Sequence, residues 1–260
     1  MIKLYLLDTE NVDSLSFKKW EKELFALSPS VLNKIEATKD EKLKKDRSIS
    51  YLFLESIIEK EKIKLCRISG KRYFSDNFKL EILFDSFGRP YIKDIDIDIS
   101  LSHTEGLTAI AISFEKAKKV GIDAELMTEK SEERASKFYD RYLKKASINR
   151  ENPSNINDKE LSIELYTLKE GEILKAAPED IFCDINTEEK NNDEKAAEPE
   201  EMRFPALSDW CALEALLKCD GGGFSSISRI KDIMEKYGYI FFAEKIRKRT
   251  YMIALAADKK

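Results

Sequence analysis

The sequence holds one histidine, His103, in 260 residues, so a multi-histidine metal cage is excluded. Its four cysteines (66, 183, 211 and 219) form no C-x-x-C pair and no disulfide-like framework, which points to reduced thiols. G-x-x-x-x-G-K-[ST] and G-x-G-x-x-G are both missing, which weighs against the common nucleotide-binding loops. The longest apolar runs, such as 107–114 and 252–257, fall far short of the ~20 residues a membrane helix needs. The start, MIKLYLLDTE, meets acids by Asp8 and has no apolar signal region. Basic charge is not in excess: 45 Lys and Arg against 49 Asp and Glu leave a net charge of −4. The whole molecule is therefore no nucleic-acid binder by electrostatics. A cytoplasmic, membrane-free protein is expected, long enough for one large domain or two small ones.

What is present is organised around residues 94–125, DIDIDISLSHTEGLTAIAISFEKAKKVGIDAE. The stretch reads as three strands, at 95–101, 107–114 and 120–125, with His103 just past the first. Side chains two apart on a strand share a face, so Asp123 and Glu125 project together while Ile122 and Ala124 point the other way. Paired carboxylates raise each other's pKa unless a cation lies between them. Mg²⁺ is bound by such oxygen ligands. A solvent-exposed polar strand face would look the same.

Elsewhere the pattern predicts a strand at 2–7 and helices at 17–27, from Pro29 through the lysine-rich 39–45, and at 46–63. A strand at 78–84 leads into a turn, Asp85 to Pro90. A polar helix is expected at 132–145, a loop at 149–158 and an amphipathic helix at 161–176. Residues 184–201 are poor in apolar side chains and dense in charge, which predicts disorder and a dispensable segment. Further strands are expected at 239–242 and 251–256. Trp210, Glu214 and Lys218 are spaced i, i+4, i+8 and would stack along one helix face. Gly221-Gly222-Gly223 can then close that helix in a left-handed conformation. An amphipathic core helix is the plainer reading of the same spacing.

Three motifs in this order, Ser100-Leu-Ser-His-Thr-Glu-Gly106, Gly121-Ile-Asp-Ala-Glu125 and Trp210-Cys-Ala-Leu-Glu-Ala-Leu-Leu-Lys218, resemble the surfactin-synthetase type of 4′-phosphopantetheinyl transferase. That family's pattern runs S-H-S, G-x-D-x-E, W-x-x-K-E-x-x-x-K. Gly88-Arg89-Pro90-Tyr91 is similar to its G-K-P-Y/F. The resemblance implies an α+β (mixed α/β) fold of two similar halves, 1–108 and 109–260, packed as a pseudo-dimer. The active site would lie in the cleft between them, with an acidic insertion at about 149–207 in the second half.

The implied reaction moves 4′-phosphopantetheine from coenzyme A to a serine of an apo-acyl or peptidyl carrier protein and releases 3′,5′-ADP. Asp123, Glu125 and Glu214 would hold Mg²⁺, with Glu214 as base and Lys218 beside it in catalysis. Arg47, Arg89, Ser102, His103 and Lys218 would hold coenzyme A, with Lys42 and Lys45 as further basic candidates. A basic patch of Lys245, Arg247, Lys248 and Arg249 would meet the acidic carrier protein, and a monomer is expected.

Two departures from the family matter. Leu213 stands where the family has Lys, and the spacer before Trp210 is long. Within that spacer Tyr166-Thr-Leu-Lys-Glu-Gly-Glu-Ile-Leu-Lys175 is a rival for the tryptophan motif, with Glu170 in the place of Glu214. The Trp210 stretch is favoured because it keeps the tryptophan and the glycine turn. Two other functions remain open: a non-catalytic homologue that binds carrier protein, and another Mg²⁺-dependent transferase using a nucleotide.

Overall fold

The computed structural model describes residues 1–10, 27–68, 81–138, 161–169, 172–175 and 203–259. Their architecture is α+β. Strand β1 (Ile2–Asp8) lies in the middle of a five-stranded sheet, flanked by β5 (Leu107–Ser113) and β7 (Leu161–Lys169). The sheet is completed by β4 (Asp98–Thr104) beyond β5 and β8 (Glu172–Lys175) beyond β7. Strand β6 (Val120–Leu126) opens a second sheet with the hairpin β9 (Tyr237–Ile246) and β10 (Arg249–Asp258), in the order β6-β10-β9. A small hairpin, β2 (Ile82–Phe84) and β3 (Pro90–Ile92), stands apart from both.

Alternation along the strands builds three stacked cores. Tyr5 and Leu7 face the helices α1 (Pro29–Glu36) and α2 (Glu41–Ile68), packing with Phe53, Leu54 and Ile57. Leu4 and Leu6 turn to the opposite face, where they meet Val120, Ile122, Ala124, Ile253 and Leu255 between the two sheets. Beyond the second sheet lie α3 (Glu129–Phe138), α4 (Pro205–Asp220) and α5 (Ile230–Lys236), packed on Met252, Ala254 and Ala256. The layering is helix, sheet, sheet, helix. Two-sided burial of this kind explains the unbroken apolar runs of β5 and β10.

Several expectations change. Where a helix was expected at 161–176, the described residues are two antiparallel strands, β7 and β8, with β7 parallel to β1 in register from Ile2↔Leu161 to Asp8↔Thr167. Apolar residues at 161, 163 and 165 repeat every second position, and the edge of β1 offers unpaired backbone groups that only a strand can satisfy. The boundary position 108/109 falls inside β5, whose partners are β1 and β4. The two sheets differ in strand number and order, and β5, β7 and β8 sit in the sheet assigned to the first half. The helix expected from Pro29 through 39–45 ends as α1 at Glu36, and residues 41–45 instead open the helix expected at 46–63, α2. The segments at 17–26, 139–158 and 184–201 lie outside the described residues. No helix among the described residues is long and apolar enough to cross a membrane.

Candidate active site

The site is set by how β4 meets β6. Odd residues of β4, such as Ile99, are buried in the helix-facing core. The even ones face β6 and take its amide hydrogens: Asp98 Oδ2 accepts from Val120 (2.7 Å), Ser100 Oγ from Ile122 (3.1 Å) and Ser102 Oγ from Ala124 (3.3 Å). Three side chains thus replace the backbone partner that the edge of β6 lacks. The polar-apolar alternation of Asp98-Ile-Ser-Leu-Ser102 is the sequence trace of this ladder.

Helix α4 is brought onto the other side of β6 by Gly121. A Cβ there would collide with the Ala215 carbonyl and the Cys219 amide nitrogen, so only glycine lets helix and strand approach this closely. Both ends of α4 are fixed. The carboxylate of Glu132, on α3, accepts from the Ala206 and Leu207 amides (2.9 and 2.8 Å), capping an N-terminus whose own residue Phe204 offers no side-chain cap. Gly221 closes the other end at φ 86°, as its glycine run predicted.

This packing places four of the expected residues at one point. Lys218 Nζ donates to Asp123 Oδ1 at 2.7 Å and to Ser102 Oγ at 3.2 Å. Ser102 Oγ donates to the same Asp123 oxygen at 2.9 Å. Glu214 Oε2 stands 3.7 Å from Lys218 Nζ. Glu125 lies one repeat farther along β6, with Oε2 accepting from Thr104 Oγ1 at 3.3 Å. Ile122 and Ala124 point into the inter-sheet core, so Asp123 takes the other face, as strand geometry requires. Leu213 is fully buried in the helical layer, so the departure from the family's lysine falls at a packing position.

Electrostatics mark the cluster as loaded. Burial, followed by the charge of Asp123, pushes the Glu214 carboxyl up to about 8. Burial and then Asp123 raise Glu125 as well. Burial works to lower Lys218, but Asp123 and Glu214 outweigh it and hold the ammonium charged. A charged Lys218 cannot serve Ser102 as a base, which argues against a Ser–Lys nucleophile despite the 3.2 Å contact. Burial lowers His103, and Lys218 and Arg47 lower it further, against Asp46 and Asp123. His103 thus has charges of both signs around it, with burial setting the direction.

Among the described residues no three His, Cys, Asp or Glu side chains are drawn together to hold a metal ion. The chemistry of the donors nonetheless fits a hard divalent cation. Asp123, Glu125 and Glu214 offer carboxylate oxygens only, and Asp123 Oδ2 is buried with no hydrogen-bond partner.

Not all expected residues join the cluster. Arg89, expected at a phosphate, has its guanidinium on Asp98 and on the carbonyls of Val120 and Lys218. Arg47 Nη1 donates to Thr38 Oγ1 at 2.8 Å, and Lys42 is exposed. In the expected basic patch Arg247 pairs with Asp8 and Arg249 with Glu10 and Glu105, while Lys245 and Lys248 are exposed. Cys66, Cys211 and Cys219 are buried thiols, and Cys183 lies outside the described residues.

Two cavities flank the centre. One, of about 180 Å³, is lined by Arg89, Ser100, Lys218 and the glycines at 221 and 223. The other, of about 250 Å³, runs between α3 and α4 past Glu125, Arg134, Phe138 and Trp210. Trp210 meets Phe138 edge-on at 4.1 Å and stacks with Phe224 at 5.7 Å. Arg134 and the capping Glu132 were missed in the sequence, because a surface helix of mixed charge carries no local sign of what it faces. A scan of family models finds no match to this chain, and a search of curated proteins finds none either.

Proposed function

We propose that this protein transfers the 4′-phosphopantetheine group of coenzyme A to a serine hydroxyl of an apo-carrier protein, with release of 3′,5′-ADP. The observation that carries the reading is the meeting of Ser102, Asp123, Glu214 and Lys218, which come from the three motifs separately. Motifs whose contacting residues lie 21, 95 and 116 positions apart converge only if the fold delivers them, which chance likeness in sequence does not require.

The serine oxygen forms a bond to the β-phosphorus while the bond from that phosphorus to the bridging oxygen breaks. 3′,5′-ADP leaves with the electron pair, and the serine proton passes to the carboxylate form of Glu214, which a bound cation would favour. Lys218 lies where it can offset charge on the pyrophosphate, and Ser102 and Asp123 fix its ammonium. The cavity bordered by Lys218 and the α4 C-terminus suits the nucleotide side, and the aromatic cavity the pantetheine side. Asp123, Glu125 and Glu214 would hold Mg²⁺, which when bound supplies positive charge to the pyrophosphate oxygens.

Incubation with coenzyme A, Mg²⁺ and an apo-carrier protein, followed by intact mass, tests the reading. A carrier protein heavier by one phosphopantetheine is expected. An unchanged mass beside tight binding of the carrier protein would favour the non-catalytic homologue. Turnover with ATP but not with coenzyme A would favour another nucleotide-using transferase.

A further inference from the structure

The structure assigns Arg89 a positioning role: one guanidinium ties together the three elements that deliver the catalytic cluster. Through Nη2 it donates to Asp98 on β4 and to the Val120 carbonyl on β6, and through Nη1 to the Lys218 carbonyl on α4. Ser102 comes from β4, Asp123 from β6, and Lys218 is itself the third anchor. Asp98 and Ser102 are four residues apart on one strand, roughly 13 Å, and Val120 and Asp123 three, roughly 10 Å. Arg89 therefore fixes the near ends of two strands and the last turn of a helix whose side chains meet a short span away. Asp98 completes the joint by accepting both the Val120 amide and Arg89, so the pair brackets Val120 on its N–H and its C=O.

The root of Arg89 is equally fixed. Asp85 Oδ1 accepts from the Phe87 and Arg89 amides at 2.9 Å, and Lys34 Nζ donates to the Gly88 carbonyl at 2.6 Å. The side chain is 13% exposed. A lysine would keep the charge, but a single ammonium cannot span three acceptors on three elements as a planar fork does. The competing role is a phosphate contact, since Arg89 also lines the smaller cavity and its Nε is buried without a partner.

The kinetic half of the test rests on the proposed transfer reaction; the structural half does not. For R89K, kcat should fall roughly 10²-fold, the scale of an ångström-sized misplacement, with KM for coenzyme A within about twofold of wild type. The nuclear Overhauser contact between the Lys218 ε-protons and the Ser102 β-protons should weaken in the same variant. A raised KM for coenzyme A with kcat unchanged would overturn the positioning role in favour of a phosphate contact. Retention of the Lys218–Ser102 contact with normal kcat would overturn it outright. D98N leaves Arg89 both carbonyls and guards against a misfolded R89K; it should lower kcat in the same sense, and an unchanged kcat would refute the joint. If wild type transfers nothing, the proposed function fails, and the Overhauser contact in R89K still decides the positioning role.

Discussion

Two stretches of this chain carry nearly the same spacing of aromatic, acid and lysine, and they fold differently. Trp210–Lys218 lies within a helix whose Glu214 and Lys218 meet Asp123. The described residues of Tyr166–Lys175 lie in the strands β7 and β8 beyond the edge of β1, where Tyr166 is buried and the nearby Glu164 bonds Lys3, Lys60 and Tyr166. Spacing alone therefore does not choose between them; the available partner does. Gly121 gives the first stretch a surface on which a helix can lie, and β1 gives the second an edge that needs a strand. The first reaches the carboxylates of β6, and Glu170 of the second lies outside the described residues.

The largest effect should come from Asp123→Ala. Transfer is expected to fall by at least roughly 10²-fold. Repulsion between two facing carboxylates by itself predicts no loss of stability, or a gain, when one is removed. The structure reverses this, because Lys218 would lose its closest partner. Urea denaturation should show a loss of about 2 kcal/mol, reduced from a fully buried pair because Lys218 is part-exposed. Unchanged stability would mean that the Lys218–Asp123 pair is not formed.

Gly121→Ala should cost about 2–3 kcal/mol, the range for forcing volume into a packed contact, with loss of activity as α4 moves off β6. A thermal melt close to wild type would show that the helix is not held where Gly121 places it.

On the other side of the comparison, Glu164→Gln should cost about 1 kcal/mol by weakening its bonds to Lys3 and Lys60. Turnover of the folded enzyme should not change. A dead but folded Glu164→Gln would put the hairpin in the site and break the contrast.

The smallest effect concerns His103, whose pKa burial lowers first of all. Its folded state favours the neutral ring, so the unfolded chain takes the proton first as pH falls below about 6.5. Its contribution is thus present above that pH and declines below it. As the only histidine it gives one imidazole signal, which should titrate below the free value and shift upward when coenzyme A binds.

Much of the fold was legible where one physical pattern dominated. The strands β1, β5, β6 and β10, the face shared by Asp123 and Glu125, and the glycine closure of α4 all follow from period and composition. The strands β7 and β8 were not, because their identity depends on the edge of β1, far away in sequence. Arg89 carried a basic signal that fits a phosphate and a buried joint alike, and only Asp98, Val120 and Lys218 tell them apart. Glu132 acts as a cap for a helix that begins 73 residues later (205 − 132), so no local motif announces it.

The most direct test of the account is intact mass of an apo-carrier protein after incubation with coenzyme A, Mg²⁺ and either wild type or Glu214→Gln. The substitution keeps shape and removes one charge, and the initial rate should fall by roughly 10²-fold, about 3 kcal/mol of barrier. Wild type should add one phosphopantetheine per carrier protein, while the variant lags at that ratio. Equal rates for the two would contradict the site built on α4, and no mass gain with wild type would contradict the transfer itself.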